Sequence, residues 1–105
     1  MTRIIKNNEE FNSIINSGLV CVIDLYATWC GPCRMLAPTI DSISEKANDK
    51  YVVAKVDVDE LEEIAIRYGV NTIPTLLYIK NGELLEKSVG LRSEEAILST
   101  IEKYL

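Results

Sequence analysis

A chain of 105 residues with 48% apolar side chains has the length of one domain, 1–105, and leaves no room for a separate substrate or regulatory module. Eleven Lys and Arg against sixteen Asp and Glu give a net charge of −5, which argues against nucleic acid or an anionic membrane surface as the main partner, since both need a basic face. The absence of His excludes Ser-His and Cys-His catalysis and every mixed Cys/His zinc site, and three Cys cannot form a closed disulfide framework within one chain.

Leu19 to Ile23 is the longest apolar run, far short of the ~20 residues of a membrane span, and the first eight residues hold no apolar signal core. A cytoplasmic location is therefore expected. Ile4-Ile5 predicts a short strand. Asn8 is the expected N-cap of a first helix, with Glu9 and Glu10 in its positive first turn, Phe11, Ile14 and Ile15 on one face, and Gly18 at its end. Leu19 to Tyr26 reads as a strand apolar on both faces, as in the centre of a covered sheet. A second helix is expected from about Cys33, with Leu36, Ile40, Ile43 and Ala47 at helical spacing and Pro38 inside it. Tyr51 to Val58 is the next strand. Asp59 and Glu62 resemble a capping box ahead of Leu61, Ile64, Ala65 and Tyr68, and Gly69 closes that helix. Thr75 to Lys80, Asn81-Gly82 and Glu83 to Val89 predict a hairpin, and Ser93 caps a last helix carrying Ile97, Leu98, Ile101 and Leu105. The order βαβαβα then ββα predicts an α/β fold: a mixed sheet with helices on both faces.

Trp29-Cys30-Gly31-Pro32-Cys33 falls where a buried strand hands over to a helix. Two cysteines three apart at a helix start bring their sulfurs to one face, and the helix N-terminus stabilises a thiolate there. Pro32 suits the first turn, whose N–H groups have no partner anyway. A disulfide closing four residues constrains the unfolded chain by only about 2 kcal/mol, which suits a bond meant to open. The alternative is half of a zinc site, but the chain offers no His and only one further Cys, Cys21, inside an apolar strand. No metal site is expected.

Ala27-Thr28-Trp29-Cys30-Gly31-Pro32-Cys33 followed by Ala37-Pro38 resembles the active-site segment of the thioredoxin family. The likeness continues through Lys55-Val56-Asp57, Tyr68-Gly69-Val70, Ile73-Pro74-Thr75 and Lys80-Asn81-Gly82, and so spans essentially the whole chain. It implies a thioredoxin fold, a central mixed five-stranded β-sheet flanked by four α-helices. It implies that Cys30 is the nucleophile on a substrate disulfide and Cys33 resolves the mixed disulfide, with Gly31 and Pro32 tuning the pair toward reduction. Relatives that oxidise or isomerise usually carry His where Pro32 stands. The implied activity is a general protein-disulfide reductase and dithiol electron carrier that maintains redox homeostasis. It needs no cofactor beyond the Cys30–Cys33 disulfide. A thioredoxin reductase would return the electrons, and targets of the peroxiredoxin, methionine sulfoxide reductase or ribonucleotide reductase kind are implied partners of a monomer. Three departures stand out: Tyr26 where many relatives have Trp, Arg34 for a common Lys, and the extra Cys21, which reads as a small core hydrophobe.

Asp24 is the sole charge in the Leu19 to Tyr26 strand. A lone buried carboxyl has its pKa raised, and beneath a dithiol it can take the proton of the resolving thiol; the alternative is a solvated strand-end Asp. Lys55 holds the matching position in the next strand. The resemblance implies that it pairs with Asp24; otherwise it is an ordinary edge-strand lysine. Spacing alone would make the bond before Pro74 trans, whereas the resemblance implies a cis Pro74 facing the dithiol and an Ile73 backbone free to pair with extended substrate. Trp29, Gly31, Ile73, Val89, Gly90 and Leu91 would form an apolar rim, although Ile73, Val89 and Leu91 could equally be core. Two other functions fit parts of the pattern: a disulfide oxidant or isomerase, and a docking subunit that uses the rim without catalysis.

Overall fold

The computed structural model describes all residues 1–105. In chain order it runs β1 (Arg3–Ile4), α1 (Asn8–Ile15), β2 (Val20–Tyr26), α2 (Gly31–Glu45), β3 (Tyr51–Asp57), α3 (Glu62–Arg67), β4 (Thr75–Lys80), β5 (Glu83–Val89) and α4 (Glu94–Tyr104). The five strands form one sheet in the order β1-β3-β2-β4-β5. β1, β3 and β2 are parallel, while β4 runs antiparallel to β2 and to β5. This is the mixed sheet with four helices that the element order implied.

Alternation along β2 sorts its side chains between two cores. Cys21, Ile23 and Leu25 join Phe11, Ile15, Ile64, Leu77 and Ile79 in one cluster. Val20 and Val22 join Leu36, Ile40, Ile43, Tyr78, Ile97 and Ile101 in the other, with the side chains of α2 and α4. At about 1.5–3 kcal/mol for each large apolar side chain removed from water, these two layers hold the sheet between its helices. The same alternation carries Asp24, two residues past Val22, and Lys55, two past Val53, onto the α2 face.

Helix starts depart from the sequence reading. Asn7, not Asn8, caps α1: its extended backbone lets its side chain accept the Glu10 N–H at 2.8 Å, and Glu10 in turn accepts the Lys6 N–H at 2.6 Å. Helix α1 ends at Ile15 with Asn16 as its cap, so Gly18 (φ +91°) turns the chain into β2 rather than closing the helix. Helix α2 begins at Gly31, two residues before Cys33, because Cys30 is its N-cap. Pro38 lies inside α2 as expected, and Ala47 packs on the core from beyond the helix end. Helix α3 begins at Glu62 after Leu61 with no side-chain cap. Asp57 organises the preceding turn, accepting the Asp59 N–H on its carboxylate and the Leu61 N–H on its carbonyl, so Asp59 is free for another role.

The Asn81-Gly82 turn is as read, with φ +52° and +77°, and the Gly82 N–H donates to the Ile15 carbonyl at 2.8 Å. Ser93 caps α4 by accepting the Ala96 N–H.

Candidate active site: a disulfide at the head of a helix

The chain leaves β2 at Tyr26, crosses Ala27 to Trp29 and enters α2 through Cys30. Cys30 has extended backbone (φ −86°, ψ 114°), as a cap requires, and its Sγ accepts the Cys33 N–H at 3.2 Å. Cys30 and Cys33 form a disulfide across 5.2 Å between Cα atoms. Both sulfurs therefore sit where the N–H groups of a 15-residue helix converge, and this field favours a thiolate once the bond opens.

The segment is braced from several sides. The Arg34 guanidinium donates to the Thr28 carbonyl at 2.9 Å, and the Trp29 indole N–H donates to Asp59 at 2.8 Å. No sequence spacing signals the Trp29–Asp59 bond, because it joins residues thirty apart. Opposite the disulfide, the Ile73–Pro74 peptide is cis, and the Ile73 carbonyl oxygen lies 3.9 Å from Cys30 Sγ. The Pro74 carbonyl accepts the Gly90 N–H at 2.8 Å, bringing the Val89 to Leu91 segment alongside. Trp29, Val89 and Leu91 are at least half exposed, Gly31, Ile73 and Gly90 are half-buried, Pro32 is exposed and Pro74 is buried. The Cys30–Ile73 and Pro74–Gly90 contacts bring Ile73 and Gly90 to the side of the disulfide, and Val89 and Leu91 are exposed rather than core.

From position at a helix start alone, Cys30 would be exposed and Cys33 covered. In the disulfide form both are buried, at 5% and 4% exposure, packed with Ala27 and against Tyr26, Val58 and Ile73. Cys30 Sγ lies over the first turn of α2, where it accepts the Cys33 N–H. What separates the two cysteines is direction. Cys30 lies beside Ile73, whereas Cys33 lines a cleft of about 250 Å³ shared with Tyr26, Arg34 and Lys55.

Asp24 is 1% exposed, and neither carboxylate oxygen has a hydrogen-bond partner. Burial raises its pKa from 3.8 to about 6, against the opposing pull of Lys55. Lys55 is the cross-strand register partner of Asp24, on β3, which is not an edge strand. The contact ion pair implied by the family resemblance is absent, and the Lys55 ammonium sits 4.4 Å from the Tyr26 ring centroid. Cys21 is fully buried on the opposite face of β2, its thiol donating to the Ile14 carbonyl at 3.2 Å. No three Cys, Asp or Glu side chains gather as metal ligands.

A CxxC disulfide capping a helix at the end of a central strand, with a backbone carbonyl beside the first sulfur and a buried acid within that strand, defines a dithiol–disulfide oxidoreductase. The thioredoxin family model matches residues 2–103. A thioredoxin of Bacillus subtilis is 42% identical over 102 residues, covering 97% of this chain and 98% of that protein. The structure of a point-mutant thioredoxin from Halobacterium salinarum superposes with a TM-score of 0.90 at 38% identity, covering 98% of this chain and 89% of that one. A yeast structure solved to explain thiol resolution in a mitochondrial 1-Cys peroxiredoxin via glutathione and thioredoxin systems gives 0.85 at 32% identity, covering 97% and 94%. The chain belongs to the thioredoxin family. It is a protein-disulfide oxidoreductase, and its redox-active group is its own Cys30–Cys33 pair.

Proposed function

We propose that residues 1–105 act as one thioredoxin domain, a general protein-disulfide reductase and electron carrier that maintains redox homeostasis without a separate cofactor. The observation that carries this is the Cys30–Cys33 disulfide at the α2 N-terminus, with the Ile73 carbonyl 3.9 Å from Cys30 Sγ.

In the reduced protein the Cys30 thiolate attacks one sulfur of a target disulfide. A Cys30–target disulfide forms and the other target sulfur leaves as a thiolate. An extended target segment lies on the rim of Trp29, Gly31, Val89, Gly90 and Leu91 and pairs with the Ile73 backbone beside Pro74. The Cys33 thiol then gives its proton to the Asp24 carboxylate, directly or through a water, and its thiolate attacks Cys30 Sγ. The second target sulfur leaves and the Cys30–Cys33 disulfide closes. Two electrons have passed from the dithiol to the target, and Asp24 returns its proton to solvent. Gly31 and Pro32 keep the intervening turn compact, and Lys55 biases Asp24 through space.

Thioredoxin reductase is the proposed electron source. Peroxiredoxins are proposed targets, supported by the similarity to the yeast structure that concerns a 1-Cys peroxiredoxin, together with methionine sulfoxide reductase and ribonucleotide reductase. The proposed setting is a monomer in the cytoplasm, since a reductase needs a compartment that keeps thiols reduced. No helix is long and apolar enough to cross a membrane.

Turnover of insulin disulfides with dithiothreitol, together with the reduction potential of the pair, tests the reading. Wild type should turn over, Cys30→Ser should not, and the potential should lie below about −210 mV, the lower end of the range in an oxidising secretory compartment. A potential near about −120 mV would make the chain an oxidant, and no turnover would leave a docking role.

A further inference from the structure

Asp24 and Lys55 are cross-strand neighbours, yet both Asp24 oxygens stand unpartnered while the ammonium lies over the Tyr26 ring. A buried carboxylate beside a lysine in register would ordinarily recruit it as an ion-pair partner. Tyr26 offers a competing seat. Strand alternation puts its ring two residues beyond Asp24 on the same face, where an ammonium is drawn to the negative face of the ring. Tyr26 also lines the cleft holding Lys55 and Cys33 and a second cleft containing Asp57 and Glu60.

We propose that Tyr26 is a positioning residue for the proton-transfer step: its ring seats the Lys55 ammonium and holds it out of contact with Asp24. The lysine then biases the carboxyl through space without neutralising it. A contact ion pair would make Asp24 a stronger acid and a poorer acceptor for the Cys33 proton near neutral pH. The mechanistic consequence rests on the proposed role of Asp24. The neighbours of Asp24 in the sheet are Lys55 on β3 and apolar Leu76 on β4, while α2 contributes Cys33 and Arg34 to the cleft. Lys55 also feels Asp41 of α2.

Carbon-13 NMR of the Asp24 carboxyl in the disulfide form tests this in wild type, Tyr26→Phe, Tyr26→Leu, Lys55→Met and the Tyr26→Leu/Lys55→Met pair. Tyr26→Phe keeps the ring and should keep the wild-type midpoint. Tyr26→Leu should free the ammonium to reach Asp24 and lower the midpoint by about one pH unit. In the Lys55→Met background the same Tyr26→Leu change should leave the midpoint in place. An unchanged or raised midpoint in Tyr26→Leu overturns the proposal, and so does a lowered one in Tyr26→Phe. An equal fall without Lys55 also overturns it, since water reaching the carboxyl would then be the cause. If Asp24→Asn turns over like wild type, the proton-acceptor reading fails while these titrations still decide what holds Lys55.

Discussion

Replacing Asp24 by Asn removes a buried acid while keeping its shape, so the stability difference between wild type and variant should change with pH only where the acid ionises. The carboxyl titrates at about 6 in the folded chain against 3.8 as its ordinary value. At ~1.4 kcal/mol per pH unit, ionising it in place costs about 3 kcal/mol. Because the folded pKa is raised, the native state holds the proton more tightly than the unfolded chain between these two values. Stability associated with Asp24 is thus fully present below pH 3.8 and is lost as pH rises through about 6. The Asn amide cannot ionise, so any cost of burying it is the same at every pH. Urea titrations of the disulfide form should show Asp24→Asn gaining on wild type from pH 4 upward, with the gap levelling near 3 kcal/mol above about pH 7. With a slope of ~1.5 kcal/mol/M, that is about 2 M in midpoint. A gap constant from pH 4 to 8 would refute the buried-acid argument, because it would mean that Asp24 titrates alike in both states.

Lys55→Met removes the charge that opposes burial, so the Asp24 carboxyl should titrate higher and wild-type stability should exceed that of the variant increasingly above pH 5; Asp24 titration by NMR checks the direction. Cys33→Ser should accumulate mixed disulfides with many proteins while Cys30→Ser traps few, read on non-reducing gels, and the reverse pattern would exchange the two roles. Cys21→Ser should leave insulin turnover intact, since Cys21 lies on the far face of β2, and cost about 1–2 kcal/mol in denaturant stability, because the new hydroxyl can still donate to the Ile14 carbonyl. Asn7→Ala should cost about 1 kcal/mol by unpairing the Glu10 N–H, whereas Asn8→Ala should cost much less.

Apolar periodicity placed the central elements from sequence alone, because a strand buried on both faces and a helix with one apolar stripe leave different spacings. Asn81-Gly82 fixed the hairpin for a similarly local reason, two adjacent residues with positive φ. Cys30 and Cys33, three apart at a strand–helix junction, declared their chemistry without any long-range contact, and the charge of Asp24 inside an apolar strand announced a perturbed acid. The family resemblance, rather than any spacing, supplied the expectation that Pro74 faces them. Helix starts were less legible, since Asn7 and Asn8 are equally able to cap and only the backbone of residue 7 is extended. Asp59 looked like a cap, yet it holds the Trp29 indole across thirty residues. The register Asp24↔Lys55 brings the two charges into adjacent strands, but which partner the ammonium takes is a competition between a carboxylate and an aromatic ring. Only the tertiary structure decides that competition, because it depends on where the Tyr26 ring packs between two clefts, and local sequence places no constraint on that.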